Sequence, residues 1–138
     1  METQPASPTR FVVRGSQPYI SPQGSRYAPG VSAETAGASA LFLGVVTLPA
    51  GERTRAHVHA CHESAHYMLS GEEVELWTGP RLERRDVARP GDFLFIPAGL
   101  PHVAVNRGRT PAVFVGARNQ PAMQESVLLL PSLDALVP

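Results

Sequence analysis

The sequence predicts an all-β fold, a sandwich or barrel of short strands, on three observations. Runs of four to eight residues rich in Val, Leu, Phe and Thr follow one another from Leu41 onward, Gly and Pro clusters separate them at close spacing, and no window between clusters is long enough for a helix. Short strands at this spacing close into a sandwich or a barrel. The 138 residues match one compact domain, and 43 % apolar residues suffice for a single core.

Residues 1–38 are rich in Pro, Ser, Gly and Ala, with the apolar groups Phe11-Val12-Val13 and Tyr19-Ile20 set among turn signals at Pro18, Pro22-Gln23-Gly24 and Pro29-Gly30. They read as an N-terminal extended arm that could lend an edge strand to a second subunit; a disordered leader is the plainer alternative. Residues 39–138 form the β domain. Strands are expected over Leu41–Leu48, Thr54–His59, Ser64–Ser70, Val74–Thr78, Leu82–Val87, Phe93–Ile96, His102–Asn106, Ala112–Ala117 and Gln124–Leu130. The turns between them fall at Pro49-Ala50-Gly51, Ser70-Gly71-Glu72, Gly79-Pro80, Arg89-Pro90-Gly91-Asp92, Pro97-Ala98-Gly99 and Asn106-Arg107-Gly108. The closing run from Pro131 to Pro138 is a short helical turn or a loose tail.

Charge narrows the partners. Twelve Arg and no Lys balance twelve acidic residues, so the basic excess expected of a protein that binds nucleic acid by neutralising phosphates is missing. Cys61 is the sole cysteine, no intrachain disulfide can form, and a cytoplasmic location is expected. Neither Ala40–Leu48 nor Val127–Leu130 approaches the roughly 20 apolar residues of a spanning helix, so no membrane association is expected.

Four of the five histidines lie between His57 and His66. Side chains two apart on a strand share a face, so His57 and His59 can converge on one ion. If a hairpin folds between His59 and His62, the return strand places His62, Ser64 and His66 on that same face and turns Glu63 away, unless a bulge reverses the parity. The fifth histidine, His102, opens a strand after the tight Pro97-Ala98-Gly99 turn, where it could close a coordination sphere from across a barrel. The parity of Cys61 is wrong for the His57 face, which marks it as a spectator thiol.

Two spaced motifs give a resemblance. Gly51, His57, His59, Glu63 and Gly71, followed after 19 residues by Gly91, Pro97, Gly99, His102 and Asn106, are similar to the paired motifs of the cupin superfamily. The resemblance covers about Leu41 to Ala117 and implies a double-stranded β-helix, or jelly roll, with core motifs at 51–71 and 91–106. The family's ligands carry over to His57, His59, Glu63 and His102. One departure matters: counted back from Gly71 with six intervening residues, the Glu position falls on Ser64, while His62 and His66 crowd the same face. A histidine-dominated site is therefore expected, drawn from His57, His59, His62, His66 and His102. Glu63 remains an alternative ligand, or a group that orients a ligand imidazole.

One divalent ion per chain is implied. Imidazole does not select sharply among Zn, Fe, Ni and Cu, and Zn is favoured for Lewis-acid chemistry. Met68, Trp77, Phe93, Phe95, Tyr67, Val103 and Val105 are the expected pocket wall. Within the superfamily the chain looks similar to the small cupin-type aromatic polyketide cyclases. That resemblance implies aldol cyclisation and aromatisation of a poly-β-ketone, free or delivered by an acyl carrier protein, with His62, His66 or Glu63 moving the proton. The alternatives are an Fe or Ni dioxygenase acting on a small diketone or phenol, and a noncatalytic cupin that binds a small molecule. The resemblance also implies a homodimer, paired through sheet edges and N-terminal arms, since pairing covers exposed edges.

Overall fold

Eleven strands and very little helix make up the described residues, 10–15 and 17–138, of the computed structural model. In chain order they are β1 (Tyr19–Ile20), β2 (Arg26–Val31), β3 (Phe42–Leu48), β4 (His57–Val58), β5 (Ser64–Ser70), β6 (Val74–Thr78), β7 (Arg84–Ala88), β8 (Phe93–Ile96), β9 (His102–Val105), β10 (Ala112–Arg118) and β11 (Leu128–Leu129). A six-stranded sheet runs β1-β2-β3-β10-β5-β8 and a five-stranded sheet runs β11-β4-β9-β6-β7. All pairings are antiparallel. Two facing antiparallel sheets with long crossovers are the double-stranded β-helix expected from the sequence.

The core follows strand alternation. Phe42, Val46 and Leu48 of β3 point inward with Met68 of β5 and Phe114 of β10, and Tyr27 of β2 joins them. A second cluster, Ala56, Leu82, Val103, Val105 and Val137, lies behind the smaller sheet. Asn106, 1 % exposed, knots the turns at one end: its amide donates to the carbonyls of Leu48, Pro49 and Thr110, and its Oδ1 accepts from Gly108 N–H.

Several expected elements change. No hairpin joins β4 to β5; the chain leaves the smaller sheet after His59 and enters the larger one at Ser64, so the register argued for that hairpin does not apply. The strand expected over Thr54–His59 is ordered as a strand only at His57–Val58, and Gln124–Leu130 only at Leu128–Leu129. Leu82 is a buried turn residue at φ 53°, and its strand begins at Arg84 instead. In the arm, β1 and β2 pair onto β3 of the same chain. A four-residue helix, Ala33–Ala36, which the sequence reading did not anticipate, follows β2 behind a Ser32/Thr35 capping box. Residues 1–9 and Ser16 of the expected arm lie outside the described residues. The closing run forms a 3-10 turn over Pro131–Leu136. No helix among the described residues is long and apolar enough to cross a membrane.

Candidate metal centre

His57 and His102 are directly opposed in the β4–β9 ladder, which sets their rings side by side with centroids 4.1 Å apart. His59, two residues on, faces the same way; its ring centroid lies 4.9 Å from that of His57 and 5.2 Å from that of His102. All three are buried, and each offers a nitrogen within 4.8 Å of the others. The backbone selects which nitrogen. His57 Nδ1 lies 2.6 Å from Arg55 O, His59 Nδ1 3.0 Å from Ser126 O, and His102 Nδ1 2.9 Å from Leu100 O. A carbonyl only accepts, so each Nδ1 carries the proton and each Nε2 keeps its lone pair. Burial reinforces this state. It lowers the pKa of His57 to about 4, partly countered by the bond to Arg55, and lowers those of His59 and His102 as well. Three neutral imidazoles, each held from behind, are the donor set a borderline divalent ion requires.

A second group shares His59. Among the described residues, His59, His62 and Glu125 also bring one ligand atom each within 4.8 Å. Glu125 comes from the loop after β10, and its Oε2 accepts from His62 Nε2 at 3.2 Å and lies 3.6 Å from His59 Nδ1 and 3.7 Å from Arg118. Gln23 Nε2 donates to its other oxygen at 2.9 Å. Burial alone would raise the pKa of this carboxyl. The bond from His62 and the fields of His59 and Arg118 outweigh that effect and hold it below the ordinary carboxylate range. His57, His59 and His102 are thus a preformed divalent-metal site with one glutamate buried beside it, and its chemistry does not choose among zinc, manganese, iron and nickel.

The other sequence candidates separate. His62 is buried against Glu125. His66 lies on β5 in the cavity wall, outside both ligand groups, with its pKa lowered to about 4 chiefly by burial. Glu63 is exposed and reaches Asn119 only through its backbone, so the carboxylate of the cluster is Glu125. Cys61 is exposed. No local pattern marks Glu125, Arg118 or Gln23; the one hint is the carboxylate missing from Ser64.

Beside the three imidazoles opens a cavity of about 70 Å³, walled mainly by apolar side chains that include Val46, Leu76, Leu94, Ile96, Ala104 and Phe114. The expected wall is off by one residue in several places. Leu94 and Ile96 face inward while Phe93 and Phe95 are exposed, and Leu76 and Ala104 take the places foreseen for Trp77, Val103 and Val105. Met68 is packed in the core, and Tyr67 faces outward.

This fold and site define a metal-binding double-stranded β-helix protein, and the preformed site supports metal-dependent catalysis. Residues 44–117 match the family model described as the cupin domain, and the chain belongs to that family. No curated protein sequence matches it. Among solved structures it is similar to a predicted oxalate decarboxylase from Thermotoga maritima, with a TM-score of 0.66 and 23 % identity over 80 % of this chain and 99 % of the other. It is also similar to a sugar phosphate isomerase from Silicibacter pomeroyi, at 0.60 and 20 % over 78 % and 71 %. The oxalate decarboxylase of Bacillus subtilis gives 0.69 and 18 % over 89 % of this chain but 32 % of the other, so the chain spans about a third of that structure. At these identities the likeness is one of fold, and none of these structures is described as an aromatic polyketide cyclase.

Proposed function

We propose that the chain is a metal-dependent cupin dioxygenase acting on a small chelating substrate such as a β-diketone or a phenol. The observation that carries this reading is a centre of three neutral imidazoles facing a cavity of about 70 Å³ with mostly apolar walls. At about 10–15 Å³ per water in such a cavity, the space suits a molecule of several non-hydrogen atoms. A folded poly-β-ketone is larger, which disfavours the cyclase reading, and with it the acyl carrier protein has no part. The names of the similar structures, two of them oxalate decarboxylases, also favour a small oxygen-chelating substrate.

His57, His59 and His102 would hold the ion through Nε2. A bound Fe(II) or Ni(II) would supply Lewis acidity to two substrate oxygens and access to dioxygen chemistry. Three neutral ligands leave the ion's charge uncompensated, so the site favours an enolate or phenolate over the neutral substrate. His66, half-buried in the cavity wall and neutral, would accept the proton released as that anion forms. Leu94, Ile96 and Phe114 would hold the apolar body of the substrate and exclude water.

The test uses untagged chain purified without added metal. Elemental analysis is expected to find iron or nickel at about one ion per chain, and an oxygen electrode to show uptake that depends on pentane-2,4-dione or catechol. Zinc alone, with no oxygen uptake after iron or nickel reconstitution, would overturn the reading in favour of Lewis-acid chemistry.

A further inference from the structure

The loop from Asn119 to Val127 binds two separate parts of the molecule. On one side it meets the N-terminal segment: Tyr19 hydroxyl donates to Met123 O at 2.6 Å, Ala33 N–H to Pro121 O at 2.8 Å, and Met123 N–H to Glu34 Oε2 at 2.7 Å. On the other side it meets the metal centre, where Ser126 O accepts from His59 Nδ1 and Glu125 stands 3.6 Å from the same nitrogen. Ser126 is itself fixed, its N–H donating to Gln120 Oε1 at 2.9 Å.

We propose that Glu125 is a positioning residue of the metal centre, a carboxylate that acts on the ion through His59 from behind, in place of a carboxylate ligand. Three observations lead there. The lone pair of His59 is on Nε2, because Nδ1 donates to Ser126 O, and Glu125 stands on the Nδ1 edge. A carboxylate at one edge of an imidazole does not share an ion with the nitrogen at the other. Next, the oxygen of Glu125 nearest His59 already accepts from His62 and lies 3.7 Å from Arg118, whose permanent charge repels a second cation from that spot. Finally, the sequence position where the cupin motif can set its coordinating glutamate is Ser64, and Glu63 is exposed. The negative charge therefore reaches the site from a different element, raising the basicity of His59 while the ligand set stays neutral.

The proposal rests on the metal-binding part of the function proposed above and not on its oxygen chemistry. Cobalt(II) titration tests it, read by calorimetry for affinity and stoichiometry and by visible absorption for the ligand field. Glu125→Gln is expected to bind one Co(II) per chain about 10–100-fold more weakly, with absorption bands unchanged in position and intensity. Because Glu125→Gln strands Arg118 as a buried charge, the paired variant Arg118→Gln/Glu125→Gln is measured beside it. It is expected to fold without metal and to show the same loss of affinity. Unchanged affinity in the paired variant would overturn the proposal. So would altered bands, which would make Glu125 a ligand, or a second Co(II) bound by the native chain and lost with Glu125, which would make His59, His62 and Glu125 a site of their own. Failure of oxygen uptake alters none of these readouts, so the two proposals fail separately.

Discussion

Gly116 stands directly opposite His66 in the β10–β5 ladder, and a Cβ added there would meet His66 Cδ2 at 2.9 Å and Nε2 at 3.1 Å. The absence of a side chain on β10 is what admits an imidazole on β5. Gly116→Ala is therefore expected to displace the His66 ring and lower turnover by an order of magnitude or more, while the ion bound at His57, His59 and His102 remains. Metal analysis and steady-state rates on the same preparation check this, and loss of metal would refute it. The buried histidines also set a pH limit. Those of His57 and His66 titrate at about 4 in the folded chain against 6.5 when unfolded, so below pH 6.5 the unfolded state binds protons that the folded state refuses. Stability is thus intact above about pH 6.5 and falls as pH drops toward 4, by about 3 kcal/mol for each of these two groups. Below 4.5 the Glu125 carboxylate adds to the loss, because its folded pKa is depressed and the unfolded chain takes up that proton first. Thermal unfolding of the metal-free chain across pH 4–8 is expected to show this slope, and a flat profile would contradict it.

Between elements, Asn106 carries the second motif's structural role. It ties the end of β3 to the loop before β10 through three donated bonds and one accepted bond. Asn106→Ala leaves the buried Leu48 carbonyl and the half-buried bonds to Pro49 and Thr110 short of a donor and is expected to destabilise the chain by about 2–4 kcal/mol, seen as a lower urea midpoint. This residue was legible in the sequence because its spacing from His102 is local. So were β3, β5, β6 and β8, whose apolar runs end at Gly and Pro, and so was the shared face of His57 and His59. The failures have a common cause. Alternation shows which residues share a face within a strand but not which sheet the next strand joins, so β4 and β5 read as a hairpin when they lie in different sheets. The same limit shifted the cavity wall from Phe93 and Phe95 to Leu94 and Ile96, since a run of four apolar residues has no polar face to fix its parity. Glu125 was illegible because 63 residues separate it from His62 and no periodic element carries it.

At the scale of the whole molecule, the described residues leave one face uncovered. On the outer side of the larger sheet, Leu43 and Val45 of β3, Val115 and Ala117 of β10, Ala65, Tyr67 and Leu69 of β5, and Phe93 and Phe95 of β8 lie in register across four adjacent strands. Phe93 is 78 % and Phe95 59 % exposed, and no charged side chain interrupts the outward positions of these strands. Scattered exposed apolar residues are ordinary, but a contiguous face of this kind marks an interaction surface. An uncharged apolar face offers nothing to select a charged partner and is complementary to its own copy under two-fold symmetry. Four strands at about 4.8 Å spacing supply the apolar centre of such an interface, with the exposed Arg26 of the flanking β2 at its rim. With a net charge of zero, long-range repulsion does not keep copies of the chain apart. The homodimer expected from the sequence is thus proposed to form face to face through the larger sheet. Light scattering should give twice the 14.8 kDa chain mass for the native protein and the single mass for Phe95→Asp, with metal content unchanged because Phe95 points away from the cavity. A native chain that stays monomeric at tens of micromolar would leave this face without its proposed partner.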